Sequence, residues 1–224
     1  MNTTNKILLS CVLATALSSS MYAEDINISG SVALTSNYIS KGMTQTDDKA
    51  ALIGELTADY KGFYVGTWAS NVDYVGADAD IEIDYYVGYK TSINNLDANL
   101  RYSRFTYNSD IINDLDELKL ELAYHIDKLT IGASYGLNTW VENDASKSDY
   151  VEGFTSYDFD QFSLRASAGD LEDIGTNQTI GISKVFPINN NAVILDLTFS
   201  NFEADTISGM KDEKNLVASI IYAF

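Results

Sequence analysis

The sequence predicts an all-β chain, a transmembrane up-and-down antiparallel β-barrel of about 12 strands, with short periplasmic turns and longer extracellular loops. Three observations predict it. Apolar and polar residues alternate with a period of two nearly throughout, with no helical period between. Very short and longer connections alternate along the chain, as they do between the two ends of an outer-membrane barrel. The last segment alternates Leu216, Ala218, Ile220, Tyr222 and Phe224, an apolar face that suits lipid, with its final rings at the membrane–water boundary.

In chain order, Met1–Ala23 reads as a secretory signal peptide. Lys6 is its only charge, Ile7 to Leu17 form its apolar stretch, and Ser18, Ser19, Ser20 and Ala23 lead to cleavage before Glu24. That stretch is too short for a spanning helix, which needs about 20 residues. Leu8-Leu9-Ser10-Cys11 loosely resembles a lipoprotein signal. However, Leu9 fits poorly and cutting there leaves almost no apolar core, so Cys11 is read as an unmodified signal residue. Residues 24–224 show no linker or composition break and read as one barrel domain. Strands are expected at 26–36, 50–60, 63–70, 80–90, 96–106, 115–126, 129–139, 149–159, 162–168, 177–186, 192–201 and 214–224.

Lys61-Gly62, Asp127-Lys128 and Asp160-Gln161 are expected as two-residue turns. The connections 92–95 and 187–191 are expected to be slightly longer, with long loops near 37–49, 71–79, 107–114, 140–148, 169–176 and 202–213. In a two-residue hairpin the flanking residues pair and share a face. Tyr60 then meets Phe63, Ile126 meets Leu129 and Phe159 meets Phe162, so the outward face carries through each turn. Outward sets follow, such as Leu52, Leu56, Ala58, Tyr60 and Leu118, Leu120, Leu122, Tyr124, Ile126, and no charge interrupts them. A mid-membrane Lys or Arg there would cost about 2–4 kcal/mol. Lys184, in register with Ile180 and Ile182, makes the tenth strand the weakest.

The opposite faces carry ten acids, Glu55, Asp59, Glu82, Asp84, Asp97, Glu117, Glu121, Glu152, Asp158 and Asp196, against four bases, Lys90, Arg101, Lys119 and Arg165. As pore-lining residues we single out Glu55, Asp59, Glu82, Asp84, Arg101, Glu117, Lys119, Glu121, Glu152, Arg165 and Asp196. Such an interior concentrates cations, and the expectation is a narrow, cation-preferring diffusion channel for small solutes. Arg101, Lys119 and Arg165 are expected to pair with Glu117, Glu121 or Asp97. The alternative is a structural or adhesive barrel with a plugged lumen. A soluble sandwich or lipocalin shares the alternation; the signal peptide, the aromatic ending and the turn lengths favour the membrane barrel.

Of the 14 Lys and Arg only Lys6 lies in the signal, leaving 13 against 32 Asp and Glu, a net charge of −19 that disfavours nucleic acid. Without Cys11 the chain has no thiol for a disulfide, catalysis or metal binding. His125 is the only histidine. It is the one base that could serve Ser134 or Ser163, but it reads as a hydrogen-bonded lining residue, so no catalysis is expected. Asp78, Asp80, Glu82 and Asp84, and the loop group Asp170, Glu172 and Asp173, lack EF-hand spacing, and no metal or cofactor is expected. Aromatics cluster at strand ends, as two interfacial girdles would require. Tyr60, Phe63, Tyr89, Phe159, Phe162, Phe186, Tyr222 and Phe224 lie beside short turns. Tyr38, Tyr102, Tyr107, Tyr135, Trp140, Tyr150, Phe199 and Phe202 lie near long loops.

The stretch from Val32 to Gln45, VALTSNYISKGMTQ, and the stretch from Gly62 to Asp73, GFYVGTWASNVD, resemble the motifs of the TorF family of porin-like proteins, also called the Gcw_chp family. Lys41 stands where that family more often has arginine. The resemblance implies an outer-membrane barrel with porin activity of undefined substrate, and no catalytic residues. Tyr222 and Phe224 resemble the assembly signal of outer-membrane proteins. The partners implied are the barrel assembly machinery, outer-membrane lipid and lipopolysaccharide, and small solutes.

Overall fold

Tight turns set the register. In the computed structural model, which describes residues 26–74, 76–141 and 147–224, Lys61, Asn94, Asp127 and Asn189 open two-residue turns at φ 51°, 56°, 53° and 54°. This left-handed region is one that Asn and Asp tolerate better than most residues. The flanking residues pair directly: Tyr60 with Phe63, Ile93 with Leu96, Ile126 with Leu129 and Ile188 with Asn191. In the fifth turn the Phe159 N–H donates to Phe162 O at 2.9 Å, and the two rings stack at 4.6 Å.

The strands are β1 (Ile26–Thr35), β2 (Ile39–Ser40), β3 (Met43–Thr44), β4 (Ala51–Tyr60), β5 (Phe63–Asn71), β6 (Ile81–Ile93), β7 (Leu96–Tyr107), β8 (Leu115–Ile126), β9 (Leu129–Trp140), β10 (Lys147–Asp158), β11 (Ser163–Leu171), β12 (Gly175–Ile188), β13 (Asn191–Ala204) and β14 (Glu213–Ala223). Twelve of them form one closed antiparallel barrel, and β2 and β3 pair only with each other. The barrel closes between β14 and β1, from Thr35 opposite Ser219 to Ser31 opposite Ala223. Gly30 and Phe224 complete the seam: each backbone N–H donates to the other's carbonyl, at 2.9 and 3.0 Å. No helix among the described residues is long and apolar enough to cross a membrane; strands of nine to fourteen residues suffice for a tilted crossing.

Several connections are shorter than expected, three of them reduced to two or three residues. Strands β6 and β12 run on through Ser92-Ile93 and Pro187-Ile188, so 92–95 and 187–191 reduce to two-residue turns. Pro187 sits one residue before the end of β12, where a missing N–H costs at most one ladder bond. The loop expected at 169–176 shrinks to 172–174, because Asp170 pairs with Thr176 inside the sheet. The expected signal peptide, Met1–Ala23, lies outside the described residues.

The two faces separate along most barrel strands. Leu52 is 61 % exposed, while its neighbour Ile53 is 7 % exposed. Phe63 packs on Tyr89 and Tyr222 lies near Phe224, at 4.6 and 6.0 Å between ring centroids, all exposed on the periplasmic rim. Lys184 does face outward. It lies 5.2 Å from the Phe186 ring, close enough to the turn to extend toward the headgroups. Leu120, exposed at the middle of β8, tests this outer face. Leu120→Arg is expected to lower stability by about 2–4 kcal/mol, read as a lower urea midpoint in lipid, and Leu120→Ile should leave it unchanged.

The interior is not uniformly polar. Ala33, Ala51, Ile53, Ile194 and Ile221 form a buried apolar cluster on β1, β4, β13 and β14, with Tyr38, Trp68 and Val185 packed against it. Charge is concentrated on the wall from β6 to β10.

Candidate functional site

None of the eleven expected lining residues stands on the exposed outer row. Glu55 accepts from the Tyr86 hydroxyl at 2.6 Å, and the Arg101 guanidinium lies 5.5 Å from the Tyr86 ring. Asp59 pairs with Lys90 at 3.0 Å, and Lys119 with Glu121 at 3.8 Å. Glu82, Asp84, Glu117 and Glu152 are buried. His125 sits in the wall with Nε2 2.9 Å from Asp97 and Nδ1 3.0 Å from Thr130.

Two expected pairings are corrected. Arg165 binds neither Glu117, Glu121 nor Asp97. It reaches Asp196 through two bonds of 2.5 and 2.9 Å and also touches Thr198. Register explains this: Arg165, Gly181 and Thr198 lie in one row, and a Cβ at Gly181 would sit 2.6 Å from Arg165 Cζ. The glycine lets the side chain cross to β13. Glu117, in turn, is taken by Lys41.

Lys41 arrives from the first long loop, 36–50. Its β2–β3 hairpin turns at Lys41-Gly42, with φ 49° and 91°, the second value costing little only for glycine. A Cβ at Gly42 would also lie 2.7 Å from the Asn177 Cβ and 3.1 Å from that of Phe202, so the tip is seated against β12 and β13. At the base, Tyr38 packs 5.1 Å from Trp68, and the Thr44 N–H donates to Glu213 at 2.8 Å. The Tyr74 hydroxyl donates to Gln45 at 2.8 Å. Burial, then the nearby charge of Glu82, pushes the Tyr74 phenol well above its usual value, keeping it a donor. The Lys41 ammonium lies 3.0 Å from Glu117 on β8, 3.2 Å from Asn138 on β9 and 5.2 Å from the Tyr150 ring on β10. In the ring of strands β9 stands halfway round from β1, so the Lys41 side chain bridges from the hairpin's seat on β12 and β13 to the far wall.

Sequence reasoning missed this crossing and misassigned part of the outer girdle. Tyr102, Tyr135 and Phe199 do face outward. Tyr150 and Phe202, 4 % and 0 % exposed, face the interior, and Tyr38 and Tyr107 are also drawn in, Tyr107 against Tyr74 at 5.9 Å. Proximity to a strand end does not set a face; parity does. Tyr150 shares parity with Glu152, Phe202 with Asp196 and Tyr107 with Arg101, a readable signal. The side chain of Trp140 lies outside the described residues. Among the described residues no three His, Cys, Asp or Glu side chains converge as metal ligands would. Of the acidic runs, Asp78 is held by the Ser109 hydroxyl at 2.5 Å, while Glu82 and Asp84 turn into the barrel.

No curated protein matches the sequence. Among solved structures the barrel is similar to the KdgM porin, at TM-score 0.60 and 10 % identity, covering 88 % of this chain and 98 % of that one. It is similar to the NanC porin, at 0.55 and 9 %, covering 88 % and 98 %. It is also similar to the COG4313 outer membrane channel from Pseudomonas putida F1, at 0.52 and 11 %, covering 95 % and 98 %. At these identities the likeness is one of fold, the closed barrel of outer-membrane porins. The model of a family described as "Bacterial protein of unknown function (Gcw_chp)" matches residues 20–184, which include the hairpin and the Glu117, Asn138 and Tyr150 that Lys41 meets, and the chain belongs to the Gcw_chp family.

Proposed function

We propose that the protein is an outer-membrane channel for passive diffusion of small solutes, narrowed at its outer mouth by the β2–β3 hairpin and preferring cations. The observation that carries this is the inward charge. Glu55, Asp59, Glu82, Asp84, Glu117, Glu121, Glu152 and Asp196 outnumber Lys41, Lys90, Arg101, Lys119 and Arg165 on the luminal side. In a narrow, low-dielectric passage such an excess attracts cations and repels anions. The porin-like fold and the TorF resemblance support the reading. A KdgM structure was solved with disordered oligogalacturonate, a polyanion; the acidic lumen of this chain favours a different, cationic or neutral class.

Lipid and lipopolysaccharide on the apolar belt, export by Met1–Ala23, and assembly machinery reading Tyr222 and Phe224 complete the proposal. One observation favours a second reading, a structural barrel that conducts nothing: the hairpin folds into the lumen and its Lys41 reaches the far wall. Liposome swelling separates the two. Faster swelling in small cationic solutes than in anionic ones of equal size is expected. Absence of swelling would favour the plugged barrel, and preference for anions would overturn the acidic-lumen argument.

A further inference from the structure

Lys41 is held by the wall as a bound ligand would be. Its ammonium meets one group from each of three strands: Glu117 Oε1 at 3.0 Å, Asn138 Oδ1 at 3.2 Å and the face of Tyr150 at 5.2 Å. These three residues are 4 %, 2 % and 4 % exposed. Groups other than Lys41 fix two of them. The Asn138 Nδ2 donates to Ser148 O at 2.8 Å, which turns its oxygen toward Lys41, and the Tyr150 hydroxyl donates to Asn177 at 3.1 Å. A carboxylate, an amide oxygen and an aromatic face supply what a primary ammonium needs: opposite charge, acceptors for its N–H groups and a π surface.

We propose that Glu117, Asn138 and Tyr150 form a receptor for the primary alkylammonium group of a solute, with Lys41 as its tethered occupant, which keeps the mouth narrow. The proposal rests on the channel reading and deepens it. An amine solute that displaces Lys41 removes the tip contact of the hairpin and widens the mouth, so the favoured permeant class is the primary amines. The tether gives Lys41 a millimolar or higher effective concentration, so a free amine competes poorly until the Lys41 side chain is removed.

The test is calorimetric titration of the folded full-length barrel in detergent with n-butylammonium chloride at fixed ionic strength. Lys41→Ala is expected to show one site at least about tenfold tighter than in the unsubstituted protein. Adding Glu117→Gln to Lys41→Ala should abolish it. Tetramethylammonium, charged but without N–H donors, should bind at least about tenfold more weakly. Butylammonium binding no tighter in Lys41→Ala, binding retained after Glu117→Gln, or equal binding of tetramethylammonium would each overturn the receptor. Should Lys41→Ala fail to fold, Lys41→Ser takes its place. Binding is read without transport, so a barrel that binds butylammonium but swells no liposome would refute the channel and keep the receptor.

Discussion

Lys41→Glu is expected to drive the β2–β3 hairpin out of the lumen. The substitution replaces a 3.0 Å ion pair with two carboxylates facing each other, one of them the buried Glu117. Removing one partner of a buried pair costs about 3–5 kcal/mol, and like charge adds to it. The hairpin is otherwise held by the Glu213 bond to the Thr44 N–H, and its base by the Tyr38 bond to Glu82 and the Lys49–Asp73 ion pair of the same loop. A bias of about 3 kcal/mol changes the seated-to-unseated ratio more than a hundredfold. Residues 24–224 contain no cysteine, so Ser40→Cys gives a single reporter beside the tip. A membrane-impermeant maleimide should label it about tenfold or more faster in the Lys41→Glu background. The further change Glu117→Lys should restore protection by reversing the pair. Equal labelling with and without Lys41→Glu would show that the tip contact does not hold the hairpin.

The second large effect lies away from the hairpin. Asp196→Ala is expected to destabilise the barrel by about 3 kcal/mol, because it strands the Arg165 guanidinium. The two side chains are only 16 % and 9 % exposed, and the pair is bidentate, which adds geometry to charge. The value sits at the low end of the range for buried pairs because luminal water can relieve part of the stranded charge. The paired change Arg165→Leu with Asp196→Leu should cost less than Asp196→Ala alone, since it leaves no uncompensated charge. Urea midpoints by tryptophan fluorescence read both. A double variant less stable than the single one would show that the pair contributes net stability rather than avoiding a penalty.

The barrel was legible because its information is local. Period two, Asp and Asn at turns, and apolar pairs flanking Lys61-Gly62 and Asp127-Lys128 each fix register within a few residues. The boundaries that moved did so where a local breaker was overruled by a neighbour. Pro187 reads as the residue after a strand, yet β13 pairs with it. The acidic 169–176 segment reads as a loop, yet Asp170 is paired.

The site was less legible because it depends on contacts distant in sequence. Nothing near Lys41 announces Glu117, 76 residues on, as its partner. The inward faces of Tyr150 and Phe202 were available from parity with Glu152 and Asp196, but strand-end position suggested a girdle instead. The motif from Val32 to Gln45 marked the right segment without revealing that it folds inward.

Planar-bilayer recording of the purified barrel under a KCl gradient tests the central claim most directly. A cation-selective conductance, with the reversal potential displaced toward that of potassium, is the expected result. A reversal potential displaced toward that of chloride, or no conductance at all, would contradict a cation channel through this acidic lumen.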